Sequence, residues 1–170
     1  MMLPDFNRQD ENRQRVLQDT IARSRQIGHG LIELRSAKDD CNSSAQLIGI
    51  IEALHTLKSG VAYLDLPGIE LLAHRLEGNV RSLWELKAPF EPECLARLID
   101  IHVILDSLLF GCAQEERVSV AGALASTQPL FAQLESQLGQ IAGIRVATFK
   151  SVESDRTVLQ LALRAELPQV

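Results

Sequence analysis

The sequence predicts a mainly α-helical protein. Residues 6–113 are expected to form an antiparallel up-down four-helix bundle, and residues 114–170 a C-terminal extension with one further helix and a β-hairpin. Three observations carry this. Hydrophobic residues make up 46% of the chain and aromatic ones only 4%, a balance that suits aliphatic helix packing better than a sandwich. Apolar residues recur with a 3.6-residue period through four long stretches. Short breaks containing Pro, Asp or Gly part these stretches, and helices joined by short turns pack as antiparallel neighbours.

The first stretch, residues 7–37, is polar, with Leu17, Ile21, Ser24, Gly28 and Leu31 on one stripe and Ile27 and Leu34 beside it. Glycines inside a helix cost about 1 kcal/mol each relative to Ala. A bend is therefore expected at Gly28 and Gly30, with His29 in it. Lys38 to Ser44 reads as a loop, with Ser43 or Ser44 as N-cap of the next helix. That second helix buries Leu47, Ile50, Ala53, Leu54, Leu57, Val61 and Leu64. Asp65-Leu66-Pro67-Gly68 is the connection, and Pro67 belongs in the first turn of the third helix. Ile69, Leu72, Ala73, Leu76, Val80, Leu83 and Trp84 form the third buried side. After the break at Lys87–Pro92, the fourth helix buries Leu95, Leu98, Ile99, His102, Leu105 and Leu109. His102, on an apolar face, is expected to be a hydrogen-bonded core or edge residue.

Beyond Gly111 the pattern weakens, and residues 114–126 are ambiguous. A helix is expected from Pro129 to Gln140, stopped by Gly143. Residues 144–152 are rich in β-branched side chains and read as a strand. A second strand is expected over 157–165, where Leu159, Leu161 and Leu163 alternate, although a helix accepts that pattern too. Two strands alone are marginal in water. Leu130, Leu134, Leu138 and Ile141 would cover them, or the extension would pair edge strands in a homodimer.

Composition narrows the function. The net charge of −5 provides no basic face for nucleic acid. Three cysteines, Cys41, Cys94 and Cys112, are an odd number without close pairing, which points to a reducing compartment and to small core fillers. The N-terminus lacks the basic and apolar regions of a signal peptide, and no run reaches the ~20 apolar residues of a membrane span. A soluble, cytoplasmic protein is expected.

The second helix carries the chemistry. His55 points away from its buried stripe, with Lys58 and Ser59 one turn further along. A solvent-facing histidine near a lysine suits a nucleophile. Ile48, Ile51 and Ala62 lie within about 40° of His55 on an ideal wheel, and apolar residues there suggest a docking patch that small Ser59 lets a partner approach. Glu52-x-x-His55 is also formally a di-iron half-site. That chemistry needs inward-pointing ligands, and these two residues lie off the buried stripe.

The run His55-Thr56-Leu57-Lys58-Ser59-Gly60 resembles the phosphorylation motif of histidine phosphotransfer (HPt) domains. The element His74-Arg75-Leu76-Glu77 is similar to the His-x-x-Glu of the phosphotransfer domain of CheA-type chemotaxis kinases. The resemblance covers residues 6–113. It implies a phosphoryl carrier in a two-component, phosphorelay or chemotaxis-type system, exchanging with a histidine kinase and a response-regulator receiver domain. His55 Nε2 would take the phosphoryl group, and Lys58 would offset its charge. Glu77 would accept Nδ1–H of His55, with His74 joining the network. No cofactor of its own is implied, Mg²⁺ coming only through the partner. No Gly-rich ATP-binding region or Asp-bearing receiver pattern occurs, so the chain is expected not to be an enzyme, and a longer parent would be a CheA-like kinase. Ser59 and Asp65 stand where the family usually has Gly, which bears on partner preference rather than chemistry. The alternative is an HPt-like adaptor or inhibitory module, but such degenerate members typically lose the His or the Lys.

Overall fold

Helix starts and stops follow the Pro, Asp and Gly punctuation only in part. The computed structural model describes residues 4–36, 40–87, 91–114, 116 and 118–149, with side chains among them from residue 9 to 36 and from 43 to 143. Among the described residues run α1 (Pro4–Ser36), α2 (Asp40–Tyr63), α3 (Pro67–Leu86), α4 (Pro92–Ala113) and α5 (Val120–Phe149). Helix α1 packs between α2 and α4, α3 closes the ring against both, and α5 lies along α3 and α4. The ring is the expected up-down bundle. Gly30 faces Ile50 and Gly60 faces Thr20, so α1 and α2 run antiparallel.

The α2–α3 turn fixes the level of α3 against α2. Asp65 takes a left-handed conformation (φ 58°), which Asp tolerates better than most residues. Its N–H bonds the carbonyl of Ala62, and the Leu66 N–H bonds that of Val61, both at 3.1 Å. This is a Schellman closure of α2. Arg13 Nη2 covers the Leu64 carbonyl at 3.0 Å. Pro67 then opens α3, where its missing N–H costs nothing.

Helix α1 runs unbroken through its glycines. A Cβ on Gly28 would stand 2.8 Å from His102 Cε1, and one on Gly30 2.8 Å from Ile50 Cγ1. The two glycines let α4 and α2 approach closely, and His29 is an exposed residue inside a continuous helix. Helix α2 begins at Asp40, so Ser43 is a buried residue within it and not its cap. Trp84, expected on the buried side of α3, remains 39% exposed. Its bulk makes full burial uncommon near a helix end.

The extension differs most from expectation. Residues 144–149 continue α5 and form no strand; residues 150–152 and 157–165 lie outside the described residues. Helix α5 starts at Val120 and passes through Pro129, although an internal proline removes a helix bond at a cost of about 3 kcal/mol. The carbonyl that loses its donor is that of Ala125, and the nearby Ser126 and Thr127 hydroxyls bond the Ala123 and Leu124 carbonyls instead. The stronger force is packing. Phe131, Leu134 and Leu138 are buried in the same core as the ring helices, so the apolar face expected to cover a hairpin covers the bundle. Arg75 on α3 stacks 4.4 Å from the Phe131 ring centroid and grips Glu135 with two bonds of 2.7 and 2.9 Å. Arg97 on α4 bonds Gln133 and Gln137. A division after Ala113 therefore cuts through this shared core, and the segment 144–149 offers no edge strand for a homodimer.

His102 meets its expectation. It is buried, and its Nε2–H donates to the Ser24 carbonyl at 2.8 Å. Ser24 Oγ in turn donates to Asp106 at 2.6 Å. Among the described residues no helix is long and apolar enough to cross a membrane.

Candidate functional site

Helical periodicity sets the site's first half. On α2 the core positions Ala53, Leu54, Leu57 and Val61 are buried, which leaves His55 outward with its side chain 66% exposed. Lys58 follows one turn later at the α2–α3 seam, its side chain 23% exposed. Ser59 Oγ bonds the His55 carbonyl at 3.1 Å, keeping a short side chain beside the imidazole. The second half comes from α3, levelled by the Asp65 turn. There Glu77 is 4% exposed, a carboxylate that needs compensation so deep in the seam.

Three positively charged or chargeable groups surround that carboxylate. Lys58 Nζ donates to Oε2 at 2.7 Å. Arg81 Nη2 donates to Oε1 at 2.9 Å from one turn further along α3. His55 Nδ1 stands 3.7 Å from the same Oε1, beyond hydrogen-bond length. Burial pushes the Glu77 carboxyl up, but the hydrogen bonds and charges of Lys58 and Arg81 outweigh it and hold the group below its ordinary value. Glu77 therefore stays ionised behind the inner ring nitrogen, and the outer face of the imidazole is open.

The structure brings His55, Lys58 and Glu77 together. It does not bring in His74, which is exposed on α3 one turn before Glu77. Around the imidazole, Ile48 (41% exposed), Ser59 and Ala62 are open to solvent, whereas Ile51 is half-buried against the core. Sequence reasoning missed Arg81. Arg81 stands at i+4 from Glu77, the spacing of a helical ion pair. Leu71 lies off the apolar stripe of α3, is 56% exposed, and falls one turn before His74.

Among the described residues no group of three or more His, Cys, Asp or Glu is placed to hold a metal ion. Glu52 and His55 both face solvent, not the bundle interior. A hollow of about 300 Å³ between α1 and α2, lined by Gln26, His29, Gln46 and Ile50, does not include His55.

The geometry offers an exposed imidazole on the same helix face as a lysine that is bonded to a buried carboxylate. The sequence model of the Hpt domain matches residues 11–144. The crystal structure of the phosphorylated P1 domain of CheA3 in complex with CheY6 from R. sphaeroides superposes with a TM-score of 0.64 at 22% identity. That likeness covers 78% of this chain and 98% of the other, and it shows a common fold. No curated protein matches the chain. On the family match, which reaches into all five helices, this protein belongs to the Hpt domain family and is a histidine phosphotransfer carrier.

Proposed function

We propose that His55 is the phosphoryl acceptor, exchanging the group between a histidine kinase and the receiver domain of a response regulator. The observation that carries this is the asymmetry around its ring: Nδ1 faces the ionised Glu77, while the exposed side is left for Nε2. In the transfer, neutral Nε2 attacks phosphorus. An N–P bond forms, the O–P bond to the donor breaks, and the donor oxygen keeps the electron pair. The donor is an aspartyl phosphate or ATP held by a kinase domain. Such transfer rests on positioning and charge stabilisation, much of it brought by the partner with its Mg²⁺.

Ile48, Ser59 and Ala62 form the docking surface around the imidazole, and exposed Leu71 on α3 is proposed as an extension of it. Ile51 backs it from the core side. The neighbour's complex with CheY6 supports a receiver as one partner. Free Cys94 and Cys112 fit a reducing cytoplasm.

The test is incubation with a cognate kinase and radiolabelled ATP, or with a phosphorylated receiver. Acid-labile, alkali-stable label is expected on the wild type and none on His55→Gln. Equal label on His55→Gln overturns the assignment.

A further inference from the structure

Glu77 is shared by two cations, and the phosphotransfer reading assigns work to only one of them. Before transfer, Lys58, Arg81 and Glu77 together carry one net positive charge beside a neutral imidazole. A phosphoryl group on Nε2 adds close to two negative charges. Lys58 is the mobile member, a point charge with three donors on a flexible stem. Yet Lys58 is bonded to Glu77 Oε2 at 2.7 Å. Leaving with no replacement, it would strand a buried carboxylate beside an incoming anion. Arg81 removes that conflict. Its guanidinium holds Oε1 at 2.9 Å, comes from the same helix as Glu77, and keeps its charge at any working pH.

We propose that Arg81 is a positioning residue of the phosphotransfer site: it keeps Glu77 compensated while Lys58 Nζ moves from Oε2 to the phosphoryl oxygens on His55. With Oε1 anchored from α3, the carboxylate also stays aimed at His55 Nδ1–H, the proton the ring retains throughout. No bond to Arg81 forms or breaks in the transfer itself. This rests on the assignment of His55 above. An ordinary exposed pair at i,i+4 would contribute little. This pair differs because its carboxylate side chain is only 6% exposed and is shared with the residue that must move.

The experiment uses the full chain and potassium phosphoramidate, a small donor that needs no partner protein. It transfers its phosphoryl group to imidazole with loss of ammonia. Phosphohistidine formation is followed by ³¹P NMR in the wild type, Arg81→Ala, Arg81→Lys, Lys58→Ala and the Arg81/Lys58 double variant, with folding checked by thermal melting. Arg81→Ala is expected to slow formation about fivefold, a factor equivalent to one half-exposed charge contact, and Arg81→Lys to restore most of it. The decisive readout is coupling. If Arg81 frees Lys58, then Lys58→Ala costs clearly less in the Arg81→Ala background than in the wild type. Multiplying effects, or an Arg81→Ala rate equal to wild type, overturns the proposal. A wild type that takes no label, or a His55→Gln control that takes as much, overturns the His55 assignment instead, independently of how Arg81 and Lys58 couple.

Discussion

His55 on α2 and His102 on α4 each stand near a carboxylate, and the two neighbourhoods are built in opposite senses. Around His102 the ring is buried and the protein supplies its partners: the Ser24 carbonyl takes Nε2–H, and Ser24 Oγ links to Asp106. Around His55 the carboxylate is buried and the ring is exposed, and Glu77 spends its bonds on Lys58 and Arg81. Burial pulls the His102 imidazole below its ordinary value of 6.5, against the Ser24 carbonyl and Asp106, which favour its charged form. A histidine that joins helices needs its bonding capacity filled. One that carries a group needs an outer nitrogen left empty and a charged group held behind it.

Exchanging the two histidines for inert residues breaks this comparison most directly. His55→Gln is expected to lose all phosphoryl acceptance and to shift stability by no more than about 0.5 kcal/mol, as surface substitutions do. His102→Ala should do the reverse. It opens a cavity and removes the side-chain bond that ties α4 to the Ser24 carbonyl of α1, at a combined cost of about 2–4 kcal/mol, while the folded fraction still accepts label. Urea unfolding and label counts on both variants decide it. Comparable stability losses in the two would mean that His55 is also a structural residue.

A smaller effect is expected at Leu71, which tests how far the open surface around His55 extends. Leu71→Glu should slow transfer from a phosphorylated receiver several-fold, on the scale of a modest interface contact. Its melting temperature should stay near that of the wild type, because the side chain is already 56% exposed. Phosphorylation by a small donor should be unaffected. A slowing with both donors would mean that the substitution disturbs the Glu77 cluster rather than docking.

The smallest effect separates the two neighbourhoods by pH. His102 has its folded value lowered, so its stabilisation is present above about 6.5 and is lost as pH falls below that through the folded value. Glu77 and Glu135 are lowered from 4.5. Their contributions persist above that value and disappear only under more acid conditions. Urea midpoints measured downward from neutral pH should therefore fall in two stages. Replacing His102 with Gln should remove the first stage and leave the second.

How much of this the sequence disclosed depends on how local each feature is. His55, Lys58 and Glu77 were legible because a helix's period decides which side chains face outward, and the two motifs carried the pairing between helices. Gly28 and Gly30 were read only as weak points of their helix for the same local reason. Propensity prices a glycine against its own helix, and it does not see His102 and Ile50 arriving from two others. Residues 144–149 offered β-branched side chains to a strand, but α5 enters them already docked through Phe131, Leu134 and Leu138, and the helix continues. Arg81 was hidden because its importance comes from sharing an acceptor with Lys58, a fact that belongs to two helices at once. The start of α5 before Pro129 was hidden likewise, since its compensation lies in packing against the other helices.

The turn at Asp65 has a consequence for how such a chain can change in length over time. Every residue between His55 and Glu77 is counted: α2 must stop where its left-handed residue closes it, and α3 must start at Pro67. One residue added or lost within either helix over this span turns the helix by about 100° and slides it by 1.5 Å, which carries Glu77 away from Lys58. Repair would take an equal and opposite change in the same helix, because completing the turn instead would leave a slide of about 5.4 Å. The connection from α4 to α5 has no such duty, since nothing in the phosphoryl site depends on its register. Insertions should therefore be admitted there and refused between His55 and Glu77, making that interval the inherited measure of the site.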